Sequence, residues 1–310
     1  MPADLAPFVH PALLYRDEHE YLAGTVPFVR DALAAGEAVA VAVPGERLRL
    51  IRDALGDDAR AVRFLDMREA GRNPGRIIPA VLRAFADAQP PGTRVSIIGE
   101  PIWAGRTPAE YPACVQHEAL INAAFRGRSA TILCPYDIRR LDPQVVADAF
   151  ATHPTLLRAG SRRHEDSGAF APADVVARYN EPLPPALPLL SFRFDADSLS
   201  EARHLAVDEA VRLGLPSARV QDLALATAEL ATNSVVHGGG SGELGVWAED
   251  GYVVCEVRDK GHMTDPLAGR RPVPRDQHGG RGLLMVNLVA DLVRVHTGPD
   301  GTTVRCWFAR

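Results

Sequence analysis

Apolar residues recur along this chain with two rhythms. Helical spacing runs from Glu18 to Ala35, Gly45 to Leu55, Pro74 to Ala88 and Tyr111 to Phe125, while short apolar runs occupy Glu37 to Val43, Arg94 to Ile98 and Ala130 to Leu133. Ala61 to Phe64 adds a further short strand. Helices alternating with strands that are apolar throughout predict an α/β domain with a mainly parallel sheet, because a strand covered on both faces has no polar side to show. In such sheets ligands gather beyond the carboxyl ends of the strands.

From residue 192 the pattern changes. Strands are predicted at Phe192 to Phe194, Leu244 to Ala248, Tyr252 to Arg258, Leu292 to His296 and Thr302 to Phe308, with helices over Leu199 to Leu213, Ala218 to Val236 and Gly282 to Ala290. Neighbouring strands with helices segregated to one face predict an α+β two-layer sandwich. Between the two patterns, residues 181 to 188 read Glu-Pro-Leu-Pro-Pro-Ala-Leu-Pro, which cannot continue a helix or sit inside a central strand. The expected organisation is a first domain over 1–183, a stiff linker over 184–191 and a second domain over 192–310. The polar stretch Gly160 to Gly168 reads as a loop, and a short helix from Pro172 to Tyr179 closes the first domain.

Composition narrows the function classes. A chain of 310 residues exceeds one ordinary core, and 46% hydrophobic with 24% charged residues is typical of a globular protein. A net charge of −5 and the lack of a dense Lys/Arg run argue against direct binding of nucleic acid. The longest apolar run, Ala38 to Pro44, is too short to span a bilayer, and the first residues show no leader pattern, so a cytoplasmic protein without membrane attachment is expected. Cys114, Cys134, Cys255 and Cys306 show no zinc-type spacing and read as buried free thiols.

The densest chemistry lies in Glu229-Leu-Ala-Thr-Asn233-Ser-Val-Val-His237-Gly238. Residues four apart share a helix face, so Glu229 and Asn233 are expected to point into one cleft, opposite an apolar face of Leu223, Leu225, Ala228, Leu230 and Ala231. An Asn side-chain oxygen suits Mg²⁺, a hard cation usually shared with substrate phosphates. Asp259-Lys-Gly261 ends a strand, Gly279-Gly280-Arg281-Gly282-Leu283-Leu284 opens a helix whose backbone N–H groups favour phosphate, and Gly301-Thr302-Thr303-Val304 follows.

In this order the four blocks resemble the asparagine box and three glycine boxes of the Bergerat ATP-binding fold shared by gyrase, histidine kinases and MutL proteins. Within that group they look most like the anti-sigma-factor serine kinases. The resemblance implies Mg²⁺-ATP held by Asn233, Asp259, Gly261, Gly279, Gly280, Arg281, Gly282, Leu283 and Thr302, with Asn233 on the metal and Glu229 as the catalytic carboxylate. It implies a sigma factor or a STAS-type anti-sigma-factor antagonist as partner, phosphorylated on Ser or Thr, and pairing into a homodimer. A lid between Thr264 and His278 carries Arg270, Arg271 and Arg275. Met263 stands where the family pattern often has a second glycine, which keeps open a non-catalytic, ATP-dependent binding switch. A histidine-kinase-like sensor is a third reading, but His204 lacks the usual acceptor surroundings.

In the first half, Pro44-Gly45-Glu46-Arg47 is not followed by Gly-Lys-Ser/Thr, so no phosphate-binding loop is recognised. His10-Pro11, Tyr15, Gly36-Glu37, Gly99-Glu100-Pro101-Ile102-Trp103, His117-Glu118, Asn122 and Cys134-Pro135-Tyr136-Asp137 resemble the MEDS sensory domain of bacterial and archaeal regulators, itself related to the RecA-like fold. That resemblance covers roughly residues 8 to 180. It implies a pocket for an unknown small ligand lined by His10, Tyr15, Glu100, Trp103, His117, Glu118, Cys134 and Tyr136. A metal centre drawn from His10, His117, Glu118 and Cys134 is a competing use of the same residues.

Overall fold

Alternating Ala and Val from Ala38 to Val43 form a strand buried along almost its whole length, as the sequence pattern requires of a strand inside a parallel sheet. In the computed structural model, which describes residues 8–158, 163–273 and 280–310, the chain divides into two compact units, Met1–Tyr179 and Asn180–Arg310.

The first unit runs β1 (Pro11–Tyr15), α1 (Glu18–Ala34), β2 (Ala38–Val43), α2 (Gly45–Leu55), β3 (Val62–Asp66), the short helices α3 (Met67–Ala70) and α4 (Ala84–Asp87), β4 (Val95–Gly99), α5 (Tyr111–Ala124), β5 (Ala130–Asp137), α6 (Pro143–Thr152), β6 (Thr155–Arg158), β7 (His164–Asp166) and α7 (Pro172–Arg178). Its sheet has the order β3-β2-β4-β5-β1-β6-β7. Every pairing is parallel except β6 with β7. Val39, Val41, Val43, Ile98 and Leu133 pack against Tyr21 and Val29 of α1 and Ile51 of α2. β1, α3, β6, β7 and α6 are additions to the elements read from sequence. The expected helix from Pro74 to Ala88 is interrupted: a 3₁₀ turn at Pro74–Arg76 leads into a π-helical turn at Ile78–Arg83 before α4. Pro79 has no N–H to give, so a regular ladder cannot run through it.

The second unit runs β8 (Leu190–Asp195), α8 (Leu199–Arg212), α9 (Ser217–His237), β9 (Ser241–Glu249), β10 (Tyr252–Asp259), α10 (Gly282–Val289), β11 (Leu292–Gly298) and β12 (Gly301–Ala309). Its antiparallel sheet has the order β11-β12-β10-β9-β8. The core joins Leu223, Leu230 and Ala231 of α9 to Val253, Cys255 and Val257 of β10 and Cys306 and Phe308 of β12. The end of the expected linker belongs to the sheet: β8 begins at Leu190, and Leu189 N–H donates to the Val246 carbonyl at 3.0 Å. The Pro184 carbonyl accepts from Arg305 Nη2 at 2.8 Å. No helix among the described residues is long and apolar enough to cross a membrane.

Candidate functional site

Helix α9 buries Val220, Leu223, Ala224, Thr227, Leu230, Ala231 and Ser234, an i, i+3, i+4, i+7 stripe. Leu225 and Ala228, expected on that face, are only half-buried because the stripe passes beside them. Glu229 and Asn233 sit one turn apart at its margin, also half-buried. Among the described residues neither side chain has a hydrogen-bond or ion-pair partner. Asn233 lines a cavity of about 500 Å³, shared with Ser234, Asp259, Gly261, Gly280 and Thr302, within the roughly 300–1,000 Å³ span of ligand clefts. His237 and Met263 also reach it. Glu229 does not line it; its carboxylate lies behind Gly282, where a Cβ would come within 2.5 Å of Oε2.

Sheet register places two of the lining residues. Asp259 and Thr302 are direct cross-strand partners on β10 and β12. Both Asp259 oxygens are held: Ser234 Oγ donates to Oδ2 at 2.7 Å and Gly261 N–H to Oδ1 at 2.8 Å. Thr302 Oγ1 donates to the Gly261 carbonyl at 2.8 Å and lies 2.9 Å from Thr297 Oγ1. Two glycines are required by close approach. A Cβ on Gly261 would lie 2.7 Å from the His237 carbonyl, and one on Gly238 would strike the Asp259 carboxyl. Met263 N–H donates to Thr297 Oγ1 at 2.9 Å, which fixes the turn where a second glycine was absent.

Gly280 has φ 76° and precedes the first turn of α10, with Gly282 and Leu283 on the cavity wall. Arg281 is the N-cap residue of that helix and is exposed. Gly279 and Arg275 lie outside the described residues. Of the other lid arginines, Arg270 is buried, and Arg271 pairs with Asp265 at 3.2 Å. His204 is exposed on α8.

The eight residues expected to share one pocket in the first unit separate. Glu100 and Trp103 line a cavity of about 240 Å³ with Arg47 and Asp137, at the carboxyl ends of β2, β4 and β5. Arg47 Nε lies 3.1 Å from Glu100 Oε1, its Nη2 3.3 Å from Asp137 Oδ2, and its guanidinium stacks over Tyr15 and Tyr21. Tyr21 donates to Glu100 Oε2 at 3.2 Å. Burial raises Glu100 to about 8, with Arg47 pulling the other way.

His10, Glu118 and Cys134 form a second, fully buried group with His153, a residue the sequence reading missed. Tyr136 packs edge-on against the His153 ring, at 5.4 Å between centroids. His117 is buried but is not part of the group, so the set His10, His117, Glu118, Cys134 is corrected at one position. The reason is helical: His117 is adjacent to Glu118 on α5 and points about 100° away from it. A histidine between a helix end and the apolar strand β6 was the available signal for His153. All four cysteines are free and buried.

Residues 9–154 match the family model of the MEDS, or MEthanogen/methylotroph DcmR Sensory, domain, and residues 192–308 match that of the histidine kinase-like ATPase domain. The chain thus carries both modules, in that order. A crystal structure of the RsbU and RsbW domains of Rv1364c from Mycobacterium tuberculosis is similar over 40% of this chain and 32% of that one, at 18% identity and a TM-score of 0.30. The match spans about a third of that protein's length. No curated protein matches the sequence.

Proposed function

We propose that the second unit is a Bergerat-type site for Mg²⁺-ATP and that the chain is a cytoplasmic regulator, in which a RecA-related sensory domain governs an anti-sigma-type Ser/Thr kinase. The observation that carries this is the uncommitted Asn233 side chain on a cleft of about 500 Å³ that is also lined by an Asp259 carboxylate anchored on both oxygens. The donor set fits. Asn233 offers a hard oxygen to Mg²⁺, Asp259 an acceptor for the adenine amino group, Thr302 support beneath it, and the start of α10 backbone N–H groups for phosphate. When bound, Mg²⁺-ATP supplies the phosphoryl group for transfer. Glu229 orients the attacking hydroxyl of the partner protein and takes up its proton. The partner on this reading is a sigma factor or its STAS-type antagonist, with the kinase domain paired as a homodimer.

Calorimetric titration with Mg²⁺-ATP tests the site. Binding by the wild type that is lost in Asn233→Ala and Asp259→Ala supports it; equal binding by all three proteins rejects it.

One observation favours a second reading, an ATP-dependent binding switch without phosphate transfer: Glu229 stands behind Gly282 and not on the cavity wall. Radiolabelled ATP presented with purified STAS-type antagonist proteins separates the two. Acid-stable label on the antagonist that disappears in Glu229→Gln supports the kinase, whereas nucleotide-dependent capture without label supports the switch.

A further inference from the structure

We propose that the first unit holds one zinc-type divalent ion in a closed tetrahedral site formed by His10, Glu118, Cys134 and His153. The four residues come from the segment before β1, from α5, from β5 and from the end of α6, and each offers one ligand atom within 4.8 Å of all the others. All four are at most 1% exposed.

Second contacts fix which atoms converge. His153 Nδ1 lies 2.9 Å from the Ala149 carbonyl, an acceptor, so Nδ1 carries the proton and Nε2 a lone pair. Asn122 Nδ2 donates to the Thr152 carbonyl at 2.8 Å and to the Ala119 carbonyl at 3.1 Å, which turns its Oδ1 toward His10 Nδ1 at 3.1 Å. His10 therefore also presents an unprotonated Nε2. Imidazoles held through Nδ1 in this way are the usual second contacts of metal-ligating histidines. Two imidazole lone pairs, a carboxylate and one thiol then face each other, and neither Glu118 oxygen nor His153 Nε2 meets the geometry of a hydrogen bond. An acceptor-rich ring sealed from water calls for a cation.

Spacing selects the kind of cation. His10 Nε2 and His153 Nε2 lie 3.3 and 3.4 Å from Glu118 Oε2, and His10 Nε2 lies 3.4 Å from Cys134 Sγ. Tetrahedral bonds of about 2.0–2.1 Å place their N and O ligand atoms roughly 3.3–3.4 Å apart. A central water at about 2.8 Å from each partner would need them roughly 4.6 Å apart. Mixed N, O and S donors favour zinc among divalent ions over magnesium or calcium, which take oxygen alone. Charge balances as well: binding displaces one proton from the Cys134 thiol, and thiolate plus Glu118 carboxylate neutralise a 2+ ion. With four protein ligands no position is left open, so the ion is a structural clasp between strands and helices, distinct from the Glu100 cavity.

The test uses the full chain. Elemental analysis is expected to find one zinc per chain, and cobalt(II) replacement to give a thiolate-to-cobalt charge-transfer band with tetrahedral d–d bands. Cys134→Ser loses the charge-transfer band and His153→Gln loses stoichiometric metal, while Cys114→Ser keeps both. Should a variant fail to fold, chelation of the wild type decides: the melting temperature falls and is restored by Zn²⁺ but not by Mg²⁺. Substoichiometric metal after reconstitution with Zn²⁺, a charge-transfer band that persists in Cys134→Ser, or a melting curve indifferent to chelation overturns the proposal.

Discussion

Ser234 on α9 donates its hydroxyl to Asp259 Oδ2 on β10 at 2.7 Å, joining the helix that carries Asn233 to the strand that carries the expected adenine acceptor. The bond aims the carboxylate into the cleft, since its other oxygen is held by Gly261 N–H.

Removing that hydroxyl should leave the Asp259 carboxylate held by Gly261 N–H alone. In Ser234→Ala the loss of one hydrogen bond, about 1–1.5 kcal/mol, is expected to weaken Mg²⁺-ATP binding by roughly five- to tenfold. Fluorescence titration with a labelled nucleotide checks it; affinity unchanged within twofold would show that the Ser234 hydroxyl does not position Asp259 for binding.

Gly282 allows α10 to begin against Glu229. Gly282→Ala places a methyl group 2.5 Å from Glu229 Oε2, and because that atom is the far end of a flexible, half-buried side chain that can swing aside, the cost is expected at or below the low end of core overpacking, about 1 kcal/mol. Denaturant unfolding should show that loss, and Gly282→Ala combined with Glu229→Ala should recover most of it. Losses that simply add would mean the two residues do not touch.

Glu100 makes the stability of the first unit depend on pH. Its carboxyl is raised from 4.5 to about 8 by burial, so the stabilisation of the neutral form is complete below about pH 4.5 and is lost as pH rises through about 8. Thermal unfolding between those limits should show stability falling with pH by at most about 1.4 kcal/mol per unit. Glu100→Gln, which cannot ionise, should flatten the slope, and an equal slope in the variant would assign the effect to another group.

Much of the second unit was legible in the chain because its signals are local. A four-residue interval puts Glu229 and Asn233 on one face of any helix, and short apolar runs rich in Val, Cys and aromatic residues mark β9, β10 and β12. The first unit was less legible. β6 and β7 are only four and three residues long, too short for periodicity to register. Pro79 altered a helix whose spacing looked regular.

The sequence by itself determined most of the element types, the order of the four glycine- and asparagine-bearing blocks and the one-turn interval between Glu229 and Asn233. Tertiary structure alone decided three things: that Ser234 anchors Asp259, that Glu229 stands behind Gly282, and that His153, not His117, joins His10, Glu118 and Cys134. The physical reason is distance along the chain. His10 and Cys134 are 124 residues apart and meet only because β1 lies beside β5 with Ala12 opposite Cys134, a register that no short window of sequence contains.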